Sequence, residues 1–396
     1  MITVEEANQI ISEKRGDFGV ESISLEDGIG RILRESIKAD RDMPPYDRVT
    51  MDGIAIRYED FQAGCRSYQI KGVAAAGSEK MSLSDANACL EVMTGAIMPD
   101  GLDTVVQYEH IDIEDGAATI KEPVNEQQNV HFKGLDRKQG DVVIRPGMAI
   151  GSPEIGVCAT VGKAYVEVSR LPKTIIISSG DELVNIDQTP LPHQIRRSNV
   201  YRLKTVLKHY HIKADMAHLL DDYEAIVEKL RSYLSTYELI ILSGGVSKGK
   251  FDFLPKALEE LEVEKHFHRI AQRPGKPFWF GSKGKATVFA FPGNPVSSFM
   301  CMQQYFKPWL DQSLQLKSEV QPKAVLGTDV NFKPDLTYFL EVKLDYTENG
   351  QLIANPVKGN GSGDLANLVD ADAFIVLPRG RELFQKGEVH PIIFYR

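Results

Sequence analysis

The chain has 396 residues, 42% hydrophobic and 26% charged, enough apolar material for roughly two to four ordinary domains. Its 46 basic and 55 acidic side chains give a net charge of −9, which excludes wholesale nucleic-acid binding but leaves room for a local basic cluster around a small anion. No apolar run approaches the roughly 18 residues of a membrane span, the acidic start MITVEEANQIISEK is unlike a signal peptide, and four scattered cysteines disfavour a zinc site or disulfide framework, so a reducing cytoplasm fits best.

Thr3-Val4-Glu5-Glu6 has capping-box spacing, and Ala7, Ile10 and Ile11 follow at helical intervals. A second short helix is expected from Ser24 to Leu33, with Ser24 as its cap. From Asp42 to about Asn125, short apolar alternations broken by Gly and Pro predict a small β-rich domain. Val142 to Ser169 reads as a strand, a helix opened by Ser152-Pro153-Glu154, and another strand.

Between Lys173 and Leu310 the pattern turns regular. Strands are predicted at Thr174–Ile177, Ala214–Leu219, Leu239–Leu242 and Val288–Phe291. Helices are predicted at Ser198–Tyr210, as a capped helix, then from Asp222, along the stripe Phe253, Leu254, Ala257, Leu258 and Leu261, and from Pro295. Such alternation implies a parallel sheet covered on both faces, with ligands beyond the carboxyl ends of its strands. The last 80 or so residues return to β, with Asn349-Gly350 marking a hairpin between Tyr338–Tyr346 and Gln351–Val357.

Four turns in the α/β region carry the chemistry: residues 178–182, 243–249, 273–277 and 292–297. Their glycines let backbone N–H groups approach a phosphate, and a following helix adds partial positive charge. None reads GxxxxGK[ST] or GxGxxG, which disfavours an ordinary ATPase or a Rossmann dehydrogenase. Asp181, Glu182, Asp221, Asp222 and Asp252 lie near these turns, and carboxylates beside phosphate loops point to Mg²⁺.

Several segments carry a resemblance that spans nearly the whole chain. They are Pro45-Tyr46-Asp47 with Thr50-Met51-Asp52-Gly53-Ile54-Ala55, Met93-Thr94-Gly95-Ala96 with Pro99-Asp100-Gly101, Ser179-Gly180-Asp181-Glu182-Leu183, and Ser198-Asn199. The glycine loop from Ser243 to Ser247 with Gly249 and Asp252, then Pro274-Gly275-Lys276-Pro277, and Pro292-Gly293-Asn294-Pro295-Val296-Ser297 complete the set. In this order they resemble the molybdopterin molybdenumtransferase family, the molybdenum insertases of molybdenum cofactor synthesis, and the related E domain of gephyrin.

The resemblance implies a multi-domain α/β plus β fold with four parts. Residues 1–41 and 139–170 would form a split N-terminal dimerisation part, 42–138 an inserted β-rich domain, 171–316 a central doubly wound α/β domain, and 317–396 a C-terminal β domain. It implies molybdate insertion into adenylylated molybdopterin with release of AMP, Mg²⁺ as cofactor, and a homodimer whose cleft is shared between subunits. Molybdopterin adenylyltransferase and apo-molybdoenzymes would be its partners upstream and downstream, with no nucleic acid or membrane involved.

Carried over position by position, Asp52, Asp136, Glu182, Asp221, Asp252 and Lys276 take catalytic places, with Asp252 and Glu182 toward the metal. Thr94 joins Asp52 in facing the cleft from the partner subunit, and Ser179, Gly180, Ser243, Gly244, Gly245 and Ser247 surround the nucleotide. Pro274, Gly275, Pro292, Gly293, Asn294, Pro295 and Ser297 line the substrate, and Ser362 matches a serine of the C-terminal part.

The chain departs from the family pattern at Arg269 and Arg273, where lysines are common, and at Arg197, where an acid is common. No basic residue occurs around Leu336–Glu341 where the family often presents an arginine. Arg269 and Arg273 are expected to clamp the anion, because a guanidinium fork matches two oxygens at once. Two other functions compete: a molybdopterin adenylyltransferase, against which the large non-α/β remainder argues, and a non-catalytic binding or scaffold paralogue, for which neither an added domain nor a long linker is present.

Overall fold

The computed structural model describes residues 1–246, 253–317, 320–359, 361 and 363–396. Backbone contacts divide it into two units, one of residues 35–146 and 152–165, the other of residues 1–34, 147–151 and 166–396.

In the first unit, six strands pair in the order Thr104–Gln107, Gly53–Ile56, Ala88–Val92, Ser67–Ala74, Ala117–Ile120, Ile111–Glu114. The central strand Gly53–Ile56 is buried on both faces: Ile54 and Ile56 pack with Tyr68 and Val106, while Ala55 packs with Leu90 and Val105. A Cβ at Gly53 would sit 2.0 Å from the Val106 carbonyl oxygen, so only glycine allows the strands to pair there. A short pair, Arg48–Val49 with Val130–His131, stands beside this sheet, and Ser152–Thr160 is a helix, as the Ser-Pro-Glu start predicts.

The second unit holds the α/β sheet. In chain order we label β1 (Thr174–Ser179), α1 (Ser198–His209), β2 (Ala214–Leu219), α2 (Tyr223–Thr236), β3 (Leu239–Ser243), α3 (Leu254–Glu260), β4 (Glu264–His268), β5 (Gln272–Arg273), β6 (Trp279–Lys283), β7 (Ala286–Phe291), α4 (Pro295–Cys301) and β8 (Thr337–Tyr346). Sheet order is β2-β1-β3-β7-β6-β4; the first four are parallel, and β6 runs antiparallel to both its neighbours, β7 and the edge strand β4.

Alternate residues of the buried strands serve opposite faces. Ile176 and Ile241 join Val200, Leu203 and Leu207 of α1, whereas Ile175, Ile177, Ile240 and Leu242 join Ile226 and Leu230 of α2 and Leu254 and Leu258 of α3. Each such side chain contributes roughly 1.5–3 kcal/mol on full burial. Because the chain leaves β1 toward β2 on one side and returns to β3 on the other, a crevice opens between the carboxyl ends of β1 and β3.

The C-terminal region closes into a barrel. β8 pairs with Leu352–Pro356 and with Ala373–Leu377, and Lys323–Leu326 and Val389–Phe394 complete the ring around Leu326, Val342, Ile375 and Ile392. β5 adds to this barrel as a parallel edge, with Gln272 opposite Thr337 and Arg273 opposite Tyr338.

Three local expectations are corrected. Ser24–Leu33 is not a helix: a strand (Val20–Ser24) runs into a single 3₁₀ turn (Leu25–Asp27), Ser24 makes no capping bond, and Gly30 sits at φ +74°. α1 begins at Ser198 without a side-chain cap. The sheet is mixed rather than wholly parallel, because the short aromatic run Trp279–Lys283 and its partner β4 give no clear strand signal in the sequence. No helix among the described residues is long and apolar enough to cross a membrane.

Candidate active site

β1, β3 and β7 end in register, Ser178 opposite Ser243 and Ser243 opposite Phe291, so their turns open at one level. The turn after β3 is tight because Gly244 and Gly245 adopt φ +97° and +69°. A Cβ at Gly244 would lie 3.0 Å from the Ser179 carbonyl oxygen, and the Gly244 amide donates to Phe291 O at 3.1 Å. The three loops enclose a cavity of about 410 Å³, lined by Ser179, Glu182, Arg197, Ser243, Gly245 and Gly293 among others.

Asn199 and Arg202, both on α1, fix this arrangement. The Asn199 amide donates to Ser243 Oγ (3.1 Å) and Gly293 O (2.7 Å). Arg202 Nη2 donates to Asn199 Oδ1 (3.0 Å), Pro295 O (2.7 Å) and Ser298 Oγ (2.8 Å), and its guanidinium lies 5.1 Å from the Phe299 ring centre. Burial lowers the Arg202 pKa to about 10, which still leaves it charged at neutral pH.

The acidic groups near this cavity divide by role. Glu182 lines it and is exposed. Asp181 Oδ1 accepts the Asp221 amide at 3.0 Å, and Asp222 caps α2 by accepting the Ala225 amide at 2.9 Å. Gly180, at φ +134°, is the hinge between Ser179 and these carboxylates. Asp252 and Ser247 lie outside the described residues. Below the rim, His218 Nδ1 and Ser178 Oγ are 2.9 Å apart, and His218 Nε2 is buried without a partner among the described residues. Desolvation lowers the His218 pKa, and the Arg197 charge lowers it further.

A second cavity, of about 360 Å³, adjoins the first across the shared residues Pro277, Pro292 and Asn294. It lies between the α/β sheet and the barrel and is lined by Arg273, Pro274, Gly275, Lys276, Ser297 and Glu341, among others. The Pro274–Lys276 turn is held from beneath. Gln272 Nε2 donates to Gly275 O at 3.1 Å and accepts, through Oε1, the Tyr305 hydroxyl; the Cys301 thiol contacts the same carbonyl at 3.8 Å. Lys276 and Arg273 are exposed on the cavity side of this support, and Arg273 stands 5.9 Å from the Phe332 ring centre. Ser297 is buried in the first turn of α4, which Pro295 starts at a position where its missing N–H is harmless.

The four loops singled out in the sequence therefore line two cavities that share a wall. The 273–277 turn is not a strand end of the α/β sheet; it follows a strand of the barrel. Arg269 lines neither cavity: it sits at φ +77° with a buried, unpartnered Nε among the described residues, and the acids near it in sequence, Glu262 and Glu264, pair with Lys283 and Lys14. Arg197 lines the first cavity beside Arg196. Ser362 lies outside the described residues.

The other unit brings its own predicted residues together. Asp52 Oδ1 accepts the Thr94 amide at 2.6 Å; that bond, and then the Thr94 hydroxyl, hold the exposed Asp52 carboxyl below its ordinary pKa. Asp136 Oδ1 is 2.9 Å from His131 Nε2, whose Nδ1 is 3.1 Å from Arg48. Sequence reasoning missed Arg202, Gln272, Tyr305 and Glu341, none of which stands in a recognisable motif; Asn199 was in a quoted motif without a role.

Among the described residues no group of three or more His, Cys, Asp or Glu converges as a ready-made metal cage. Among the described residues Glu182 is the carboxylate that lines the first cavity, and one carboxylate completed by substrate phosphates is a donor set that would suit Mg²⁺.

Fold and site together define a multi-domain α/β protein with a glycine-lined cavity at its strand ends, beside a second pocket that Arg273 and Lys276 line. Family models match almost end to end: the MoeA N-terminal region (domains I and II) over residues 2–162, a probable molybdopterin binding domain over 175–312, and the MoeA C-terminal region (domain IV) over 323–395. The chain is 40% identical over 396 residues to the molybdopterin molybdenumtransferase of Synechocystis, covering 99% of each, and 31% identical to that of Staphylococcus epidermidis, covering 99% of this chain and 95% of the relative. A crystal structure of a molybdopterin biosynthesis MoeA protein from Pyrococcus horikoshii, 28% identical, superposes with a TM-score of 0.84 over 100% of this chain and 99% of that one. The chain belongs to the molybdopterin molybdenumtransferase (MoeA) family.

Proposed function

We propose that this protein inserts molybdate into adenylylated molybdopterin, releasing AMP and completing the molybdenum cofactor. Family membership makes it a transferase of molybdenum cofactor biosynthesis acting on molybdopterin. The adenylylated form of the substrate is our reading, and the observation that carries it is the shared wall at Pro277, Pro292 and Asn294. A ligand with a nucleotide end and a dithiolene end can lie across it, phosphates on the Ser179, Gly245 and Gly293 side and dithiolene toward Arg273 and Lys276. Molybdate, as the second substrate, then meets two cations and the Ser297 hydroxyl.

The residues orient and neutralise more than they bond. Glu182, with Asp252, would hold Mg²⁺ against the phosphates, where the ion neutralises charge as AMP leaves. Asp52, kept ionised by Thr94, and Asp136 would complete the cleft from the second subunit of a homodimer. The substrate comes from an adenylylating enzyme, and the product goes to apo-molybdoenzymes, within the cytoplasm.

The test is conversion of adenylylated molybdopterin and molybdate to active cofactor, read by reconstitution of an apo-molybdoenzyme. Adenylylation of molybdopterin from ATP, without insertion, would replace this reading with that of an adenylyltransferase. Within the same assay Arg273→Ala should weaken apparent molybdate affinity at least tenfold, about 1.4 kcal/mol, whereas Arg273→Lys should keep much of it. An alanine variant with unchanged molybdate dependence would place Arg273 outside the pocket.

A further inference from the structure

The second cavity contains an acid as well as cations. Glu341, in the middle of β8, is half-buried and lines the pocket that Arg273 and Lys276 also line. Among the described residues it forms no ion pair with either, nor do they with any other carboxylate. Beside it lies Asn367, 6% exposed, its side-chain amide enclosed and acting on the Glu341 carboxyl. A carboxyl that forms no ion pair, on the wall of the same cavity as two cations that form none either, is a set of groups arranged for an oxyanion.

We propose that Glu341 reads the oxyanion in this cavity as a carboxylic acid, donating a hydrogen bond to one molybdate oxygen while Arg273 and Lys276 take the charge, so that molybdate binding takes up a proton. The inference rests on the reading of this cavity as the molybdate site. An ionised carboxylate there would face the dianion with like charge; a protonated one is a donor.

The surroundings favour the acid form. Burial raises the Glu341 pKa and the nearby Asp364 carboxylate adds to this, while the Glu341 backbone amide and Asn367 pull the other way. Facing Glu341 are Tyr338 on its own strand, Asp364 from the loop beyond Gly359, Tyr395 at the C-terminal strand, and Arg273 and Lys276 across the cavity; no histidine lines it among the described residues. Tyrosine, lysine and arginine do not change protonation near neutrality. Asp364 is the competing titrating group, which the Glu341 variant separates.

The experiment is calorimetric titration of the full-length protein with sodium molybdate, in buffers of differing ionisation enthalpy, over about pH 6–8.5, where molybdate is a dianion. Wild type should take up about one proton per molybdate at the alkaline end, its affinity falling up to tenfold per pH unit there. Glu341→Gln, which keeps a donor but cannot titrate, should bind without uptake and, at the alkaline end, more tightly than wild type. Binding by wild type with no uptake, equal uptake in Glu341→Gln, or loss of binding in a folded Glu341→Gln would each overturn the proposal while leaving the molybdate site in place. Wild-type protein that binds no molybdate would overturn the site itself, and the proposal with it. If Glu341→Gln does not fold, Asp364→Asn decides: uptake kept there assigns the proton to Glu341, and uptake lost there overturns the proposal.

Discussion

Arg202 shows how one buried side chain can set the shape of a site it does not enter. Its Nη2 bonds to Pro295 O, Ser298 Oγ and Asn199 Oδ1, and Asn199 in turn reaches Ser243 and Gly293, so one guanidinium ties two of the cavity loops and the start of α4 to α1. Arg202→Ala removes the donor to three acceptors, each costing about 1–3 kcal/mol if left buried and unmet. We expect a lower urea midpoint and a raised KM for the nucleotide-bearing substrate, with Arg202→Lys recovering part of both. His218 acts through protonation instead. Its folded pKa is lowered, so the unfolded chain binds more protons in the window between that value and about 6.5, and stability falls as pH drops through the window. His218→Gln should flatten this slope: the loss of Tm on going from about pH 7 to 5 should be smaller than in wild type. An identical slope would mean that the acid sensitivity arises elsewhere.

At the scale of elements, the Pro274–Lys276 turn is the most constrained loop of the site. Gly275 sits at φ +86°, and a Cβ there would lie 2.7 Å from Cys301 Sγ and 2.8 Å from Gln272 Nε2. Gly275→Ala should therefore destabilise by more than about 2 kcal/mol and lower kcat by displacing Lys276. Gly284, at φ +57° with nothing within 4 Å of its Cβ, is the control, and its alanine variant should cost about 1 kcal/mol with activity kept. Thermal unfolding of the pair separates steric clash from backbone strain, and equal losses would remove the clash from the account. The glycine-rich turns were legible in the sequence because glycine at positive φ is local chemistry. The helices α1 to α3 were legible because their apolar stripes match their buried faces. What the sequence concealed depends on distant pairing: the barrel edge made by Gln272–Arg273, the support from Tyr305 and Cys301, and the placing of Glu341 opposite Lys276 all arise from segments that meet only after folding. The Ser24 misreading is of the opposite kind, a plausible local cap whose downstream Gly28 and Gly30 outweigh it.

At the scale of the whole molecule, the predicted functional residues fall into two sets that lie on different units. Asp52, Thr94 and Asp136 are on one, and the cavities with Glu182, Arg273 and Lys276 are on the other. If a homodimer completes each cleft by pairing one set with the partner subunit's other set, the contact is isologous and the two clefts of a dimer are equivalent. Asp52→Ala and Lys276→Ala proteins should then each be nearly inactive alone. When the two are unfolded, mixed in equal amounts and refolded, half the dimers are hybrids, and each hybrid has one cleft carrying both lesions and one carrying neither. About a quarter of wild-type activity should return under random pairing. Light scattering on the same samples should give twice the monomer mass of 44.1 kDa. If each subunit instead completed its own cleft, every cleft in the mixture would still carry one lesion, and no activity would return however well the chains paired.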